Sequence, residues 1–274
     1  MYSRVYVEIT NICNMNCSFC HGHNRSRYMI TEEQFKHILS VLKDKTKYIY
    51  YHLMGEPLLH PKLPEFIGLS KEQGFNSIVT TNGTLLPRVG DKLIENGIHK
   101  VNISVHSFEE DNIDKMKSYL DDIICFVNKA SKASVIVVLR FWNNGAEGVD
   151  NNSAISYLKS NLKCEWVENS KGYRIYKKVF LEFADRFKWP DKDAEFQSES
   201  VFCYGLRDHF GILCDGTVVP CCLDSDGIIN LGNIYTDNLN EILNSDRTKA
   251  IRDGFSCRKA TEELCKRCAY AQRF

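Results

Sequence analysis

From residue 4 to about residue 185 the sequence alternates short β-branched or aromatic runs with amphipathic stretches, and no other feature limits its fold as strongly. A period near two followed by one near 3.6 marks βα units whose strands lie parallel in one sheet. Strands are predicted at residues 4–9, 48–54, 77–81, 100–105 and 134–141, with a sixth inside either 164–167 or 173–181. Thr31-Glu32-Glu33-Gln34 supplies an N-cap and acidic first-turn residues, and Phe35, Ile38, Leu39 and Leu42 then share one helical face. Further helices are predicted over 63–73, 85–96 and 112–130.

About six such units predict an α/β fold, a partial (βα)6 TIM-like barrel that is closed or three-quarters closed, with functional residues at the carboxyl ends of its strands. Around Trp189-Pro190-Asp191 the periodicity lapses into a polar stretch that runs to Ser200 and reads as a linker. Residues 1–195 are therefore expected to form the barrel domain, and 196–274 a small cysteine-rich α+β domain, a β-hairpin plus helix. Asp215-Gly216 between two apolar runs reads as the two-residue turn of that hairpin.

Twelve cysteines need a chemical explanation. The N-terminus lacks a secretory h-region and no apolar run approaches the ~18 residues of a membrane span, so the expected setting is the reducing cytoplasm, away from membranes, where thiols bind metals or do redox chemistry. Thirty-five basic residues balance 35 acidic ones, which argues against a nucleic-acid partner, since phosphate-backbone binding draws on a positive field. Three cysteines cluster near the start, Cys125 and Cys164 stand alone inside apolar runs where a buried inert thiol is expected, and the rest fall between Cys203 and Cys268.

Cys13-Asn-Met-Asn-Cys17-Ser-Phe-Cys20 places three thiols as C-x3-C-x2-C directly after the first strand. Three thiolates on a 4Fe-4S cluster leave one iron free for a small molecule, whereas zinc favours four closed ligands. With its aromatic Phe19 before the last cysteine, this motif resembles that of the radical S-adenosylmethionine (SAM) superfamily. The resemblance implies that the open iron chelates the amino and carboxylate groups of SAM and that the enzyme reduces SAM to methionine and a 5'-deoxyadenosyl radical. His52-Leu-Met-Gly55-Glu56-Pro57 resembles the family's Gly-Gly-Glu-Pro element, which cradles the methionine amino group, with Met54 in place of the first glycine. Thr80-Thr81-Asn82-Gly83 and Asn102-Ile103-Ser104-Val105-His106 end the third and fourth strands. The resemblance implies cofactor contacts for Phe19, Gly55, Glu56, Asn82 and Ser104, the serine touching the ribose or carboxylate. Where many relatives place an arginine on the following helix, this chain has Lys115 and Lys117.

Taken singly, a Gly-Glu-Pro or Asn-Gly is most often only a turn, and the order of these motifs on successive strands carries the argument. Arg140 and Asn143, at the end of the fifth strand, are candidates for contacting a substrate carboxylate or SAM; a structural arginine beside Trp142 is the alternative. The loop from His21 to Arg27 reads as solvated, with contact to an anionic substrate or electron delivery to the cluster as alternatives.

In the second domain, Cys203, twelve residues, Gly216, four residues and Cys221 resemble the opening of the SPASM and twitch auxiliary iron-sulfur domains, and Cys265-Lys-Arg-Cys268 resembles the second pair. Few residues follow Cys268, so the shorter twitch form with one auxiliary cluster, of 4Fe-4S type, is expected. Adjacent strand residues point to opposite faces, so Cys203, Cys221, Cys265 and Cys268 are the expected ligands, with Cys214, Cys222 and Cys257 as spares. A zinc ribbon is the structural alternative.

These features predict an enzyme, a radical SAM oxidoreductase or maturase. It would abstract hydrogen from a small polar metabolite or a peptide, with the auxiliary cluster taking the electron and a reductase such as flavodoxin or ferredoxin supplying the first one. The short segment before Cys13 lowers the expectation of a leader-binding domain. Alternatives are a peptide epimerase or cross-linking maturase using a spare cysteine or an open auxiliary iron, an RNA-modifying relative, and a non-catalytic zinc-binding scaffold.

Overall fold

The computed structural model describes residues 1–110, 112–146 and 151–273. Among them the chain runs β1 Arg4–Val7, α1 Glu32–Leu42, β2 Tyr48–Tyr50, α2 Leu63–Glu72, β3 Asn76–Thr81, α3 Leu86–Glu95, β4 Lys100–Ser104, α4 Ile113–Lys132 and β5 Ile136–Asn144. It continues with α5 Asn152–Asn161, β6 Val167–Asn169, β7 Gly172–Tyr176, β8 Val179–Asp185, β9 His209–Ile212, β10 Val218–Val219, α6 Leu239–Asn244, α7 Asp246–Ser256 and α8 Glu263–Lys266. One open sheet takes the order β10-β9-β1-β2-β3-β4-β5-β8-β7-β6. β1 to β5 and β8 are the six parallel strands of a partial barrel.

Alternation along each strand builds the two sides of the sheet. Val5 and Val7 point into the large core with Phe35, Ile38, Leu39 and Leu42 of α1, while Tyr6 points to the other face and packs with Leu53, Leu213 and Val219. The helix begins as its sequence dictates: the Thr31 hydroxyl accepts from Gln34 N at 3.2 Å and the Gln34 side chain accepts from Thr31 N at 2.8 Å.

Several expectations are refined. The sixth parallel strand is β8, and the 173–181 run divides between β7 and β8, two antiparallel arms joined at Lys177-Lys178. β5 runs on past Phe141 to Asn144, with a register shift between those residues, so Arg140 lies within the strand rather than at its end. β9 and β10, from the cysteine-rich region, extend the same sheet, β9 lying parallel to β1. Their connection is a turn from Leu213 to Gly216, closed by Gly216 N donating to Leu213 O at 2.9 Å, with Gly216 at φ 89°. The Asp-Gly pair thus forms a three-residue loop with a glycine bulge rather than a two-residue turn.

Cys125 faces solvent because the buried stripe of α4 is Tyr119, Leu120, Ile123, Phe126, Val127 and Ala130; Cys164 is partly buried against the core. Among the described residues no helix is long and apolar enough to cross a membrane.

Candidate functional site

Cys13, Cys17 and Cys20 lie on a loop that leaves β1 and returns beside it. Its neck is closed by Asn11, whose side chain donates to Ser26 O at 2.8 Å and accepts from Tyr28 N at 2.8 Å. The loop is then pinned to the carboxyl ends of the next strands. Asn82 Nδ2 donates to Asn14 Oδ1 at 3.0 Å, and Asn14 Nδ2 donates to the Thr84 hydroxyl at 2.9 Å. Beyond β4, Ser18 N donates to Glu109 Oε2 at 2.8 Å, and the Cys17 thiol donates to Ser107 O at 3.5 Å. Phe19 packs on His106 at 5.0 Å between ring centroids, and His106 Nδ1 lies 2.9 Å from Arg140 O. Asn82 and Phe19 therefore locate the loop, while Ser104 ends β4, its carbonyl accepting from the Ser107 hydroxyl at 2.6 Å.

Gly55 and Glu56 shape the wall beside the loop. Gly55 adopts φ 74°, and a Cβ there would meet Thr10 O at 2.5 Å, so only glycine lets this turn approach the chain just before Cys13. The buried Glu56 carboxylate is taken up by donors from Leu58 N at 3.0 Å, Asn82 N at 2.8 Å and the Thr81 hydroxyl at 2.7 Å. It joins the β2 turn to the end of β3. Burial pushes its pKa up to about 7 against the pull of those donors.

The three loop thiols are free. Burial, with the neighbouring Cys20 and Cys13, pushes the Cys17 thiol up to about 12; burial, then Glu56 and then Cys20, raises Cys13. The charges that act on Cys17 and Cys13 include Cys20 in both cases, so the three sulfurs share one small region. A bound cation reverses that balance by favouring thiolates, so the donor set fits an iron-sulfur cluster.

A second group lines a cavity of about 550 Å³ bounded by Cys203, Cys221, Cys222, Cys265 and Cys268 on one side. Cys221 is raised well above the ordinary thiol value by burial, then by Cys222, Cys203, Cys265 and Cys268. The four expected ligands, Cys203, Cys221, Cys265 and Cys268, are free thiols lining one cavity, which fits a cluster held by four cysteines. Among the described residues, no three His, Cys, Asp or Glu side chains close on one ion.

The spare cysteines part company. Cys222 follows Pro220 beyond the end of β10 and faces the same cavity as Cys221, so the alternation expected of a strand does not separate the two. Cys214 packs against the Arg25 guanidinium, 3.6 Å from Nη1, and Cys257 is exposed at the end of α7. Asn143 pairs with the Asn151 side chain at 2.9 and 3.2 Å, away from the role expected for it. Arg140 lines the cavity with the C-terminal cysteines, its guanidinium 4.1 Å from the centre of the Trp142 ring.

Sequence reasoning missed the link between the two regions. Glu8 is fully buried and accepts Arg25 Nη1 and Nη2, each at 2.8 Å, Met54 N at 3.0 Å and Cys214 N at 3.3 Å. Arg25 Nε donates to Ser225 O at 2.8 Å, and Asn24 N to Asp226 Oδ1 at 2.6 Å. The 21–27 loop, read as solvated, is thus docked on the cysteine-rich region.

Comparison with known proteins agrees with this arrangement. Residues 7–143 match the radical SAM superfamily and residues 203–269 the SPASM iron-sulfur cluster-binding domain. A probable GTP 3',8-cyclase of Methanocaldococcus jannaschii is 34% identical over 135 residues, 46% of this chain and 44% of that protein. One from Methanococcus maripaludis is 22% identical over 83% of this chain and 87% of its own. The chain spans less than half the length of the first curated relatives it matches. Among solved structures, BtrN in complex with AdoMet and 2-DOIA superposes at TM-score 0.63 with 18% identity, covering 98% of this chain and 93% of that one. The anSMEcpe enzyme with bound AdoMet gives 0.62 and 15%, covering 96% and 88%; both likenesses concern the fold. The family model covers the half of the chain that carries the cysteine loop and its pinning strands, and this protein belongs to the radical SAM superfamily, an enzyme that uses SAM and a 4Fe-4S cluster and carries a second iron-sulfur cluster in a SPASM-type region.

Proposed function

We propose that the enzyme oxidises a small polar metabolite or a peptide. Cys13, Cys17 and Cys20 hold the first cluster, which when bound supplies the electron that splits SAM. Phe19, Gly55, Asn82 and Ser104 border the SAM site, and Glu56 keeps its wall in place. Residues 1–195 form the barrel unit and 196–274 the auxiliary unit, where Cys203, Cys221, Cys265 and Cys268 hold the second cluster, of 4Fe-4S type. The 5'-deoxyadenosyl radical takes a hydrogen atom from a substrate C–H bond. The second cluster, held by Cys203, Cys221, Cys265 and Cys268, would accept one electron from the substrate radical, which with loss of a proton to solvent would leave a product two hydrogens lighter. A cytoplasmic flavodoxin or ferredoxin would supply the one electron the first cluster spends and take up the one the second cluster receives.

The observation that carries this reading is the shared cavity. The four cysteines line the same space as Arg4, Tyr6, His52 and Arg140 from the inner face of the sheet, so a molecule bound there is next to an electron acceptor. Mass spectrometry of the product formed with SAM tests it. A loss of two mass units is expected; an unchanged mass with one solvent deuterium incorporated would refute oxidation.

That second outcome belongs to an epimerase, and the position of Cys222 on the cavity wall favours it as the alternative, since a thiol there can return a hydrogen atom. The name of the curated relatives adds GTP to the substrates to be tried.

A further inference from the structure

Four buried nitrogen atoms of cavity-lining residues have no hydrogen-bond partner among the described residues: Nε of Arg4 and of Arg140, and Nδ1 of His52 and of His209. They come from β1, β5, the turn after β2 and β9, and only the sheet order brings them to one space. An arginine Nε–H can only donate, and a buried donor without an acceptor is a costly arrangement that native structures avoid. Among the described residues neither Arg4 nor Arg140 forms an ion pair, although Glu182 stands opposite Arg140 in the sheet. The Arg140 guanidinium lies over Trp142 at 4.1 Å, and that of Arg4 lies 5.9 Å from the Tyr50 ring and 6.0 Å from that of Tyr6, with a side-chain hydrogen bond to Tyr50. The Trp142 face holds the plane of Arg140, and in both arginines the Nε–H is left to donate.

Two guanidiniums, Arg4 and Arg140, and one carboxylate, Asp208, which pairs with Arg207 at 3.8 Å, line the cavity. Burial, and then Arg140, lowers His52 to about 3; burial, and then Arg4, lowers His209 to about 4, so both rings are neutral at pH 7 and can offer a nitrogen as donor or acceptor. Val201, Pro220, Leu223 and Phe255 give the wall an apolar part beside the tyrosines and cysteines.

We infer that this cavity binds a substrate bearing an oxyanion, a carboxylate or a phosphate on an organic body, with Arg4 and Arg140 donating to the anion and His52 and His209 completing its hydrogen bonds. This names the substrate class for the proposed reaction and rests on that reading for its placement beside the second cluster. The competing recipient for the same donors is the sulfur of the second cluster itself.

Calorimetric titration of the anaerobically reconstituted holoenzyme, with SAM present, separates these. The probes are phenylacetate, phenyl phosphate and the neutral phenylacetamide. At least one anion should bind at least about tenfold more tightly than the amide. Arg4→Gln and Arg140→Gln should each weaken that anion by at least about tenfold while leaving the amide little changed. Arg140→Lys, which keeps the charge and loses the fork, should retain part of the affinity, and iron content checks that each variant is folded and loaded. Tighter binding of phenylacetate points to a carboxylate substrate and of phenyl phosphate to a phosphate; either supports the inference. Equal binding of the amide, no binding of any probe, or anion affinity unchanged in both Gln variants overturns it. So does a change confined to the electron paramagnetic resonance signal of the second cluster, which would assign the donors to the cluster. Because binding needs no turnover, a wild type that binds the anion yet yields no oxidised product counts against the proposed function alone.

Discussion

Replacing Arg25 with methionine should loosen both cysteine regions at once. Glu8 has no exposed surface, and its carboxylate accepts two guanidinium nitrogens at 2.8 Å besides the backbone donors Met54 N at 3.0 Å and Cys214 N at 3.3 Å. Arg25→Met leaves that carboxylate buried with the two backbone donors and the Cys214 thiol. Breaking a buried pair from one side costs about 3–5 kcal/mol, and the surviving donors keep the loss near the lower end. For a chain of this size each kcal/mol moves the thermal midpoint by roughly 2–4 °C, so a fall of roughly 6–12 °C is expected. Glu8→Gln combined with Arg25→Met removes the stranded charge while an amide oxygen still accepts the backbone donors, so the double variant should be more stable than Arg25→Met alone. Anaerobic thermal melts of wild type, both single variants and the double variant complete the cycle. An Arg25→Met midpoint within about 2 °C of wild type, or a double variant no better than that single one, would refute the reasoning.

Gly55→Ala should cost about 2–5 kcal/mol, from the left-handed backbone together with a Cβ placed 2.5 Å from Thr10 O, and should lower the iron retained by the first cluster. Denaturant titration with iron analysis checks this, and wild-type stability with full iron would count against it. Glu56 predicts a pH effect: the folded carboxyl keeps its proton up to about pH 7, whereas the unfolded chain releases it near pH ~4.3. In that window the folded state holds the extra proton, so raising the pH weakens the fold, by at most about 1.4 kcal/mol per pH unit for this one group. Melts between pH 5.5 and 7.5 should show the slope in wild type and a flatter one in Glu56→Gln; equal slopes would exclude this origin. Cys221→Ala should lower bound iron from about eight to about four per chain and abolish the oxidised product, as metal analysis and mass spectrometry would report.

The parallel core was legible because each strand and helix carries its own period, and the first cysteine loop because its three thiols lie within eight residues. The choice of sixth strand between 164–167 and 173–181 was ambiguous for a physical reason: both runs reach into strands, β6 and β7–β8, and only the parallel pairing of β8 with β5 decides between them. What the sequence hid are contacts made by register over long separations. Arg4 and His209 are paired neighbours on β1 and β9, and Arg25 meets Ser225, yet neither residue belongs to a local pattern. Glu56 illustrates a subtler limit. Its Gly-Glu-Pro turn could be read in the sequence, but not that its carboxylate would accept from Leu58, Thr81 and Asn82, the last two on a different strand end.

The central claim is that three thiols on one loop leave an iron open for SAM. Anaerobically reconstituted protein incubated with dithionite and SAM, assayed for 5'-deoxyadenosine in wild type and Cys17→Ala, tests it most directly. The account predicts 5'-deoxyadenosine from the wild type and none above background from the variant. Equal formation by the two proteins, or none from an iron-loaded wild type, would contradict it.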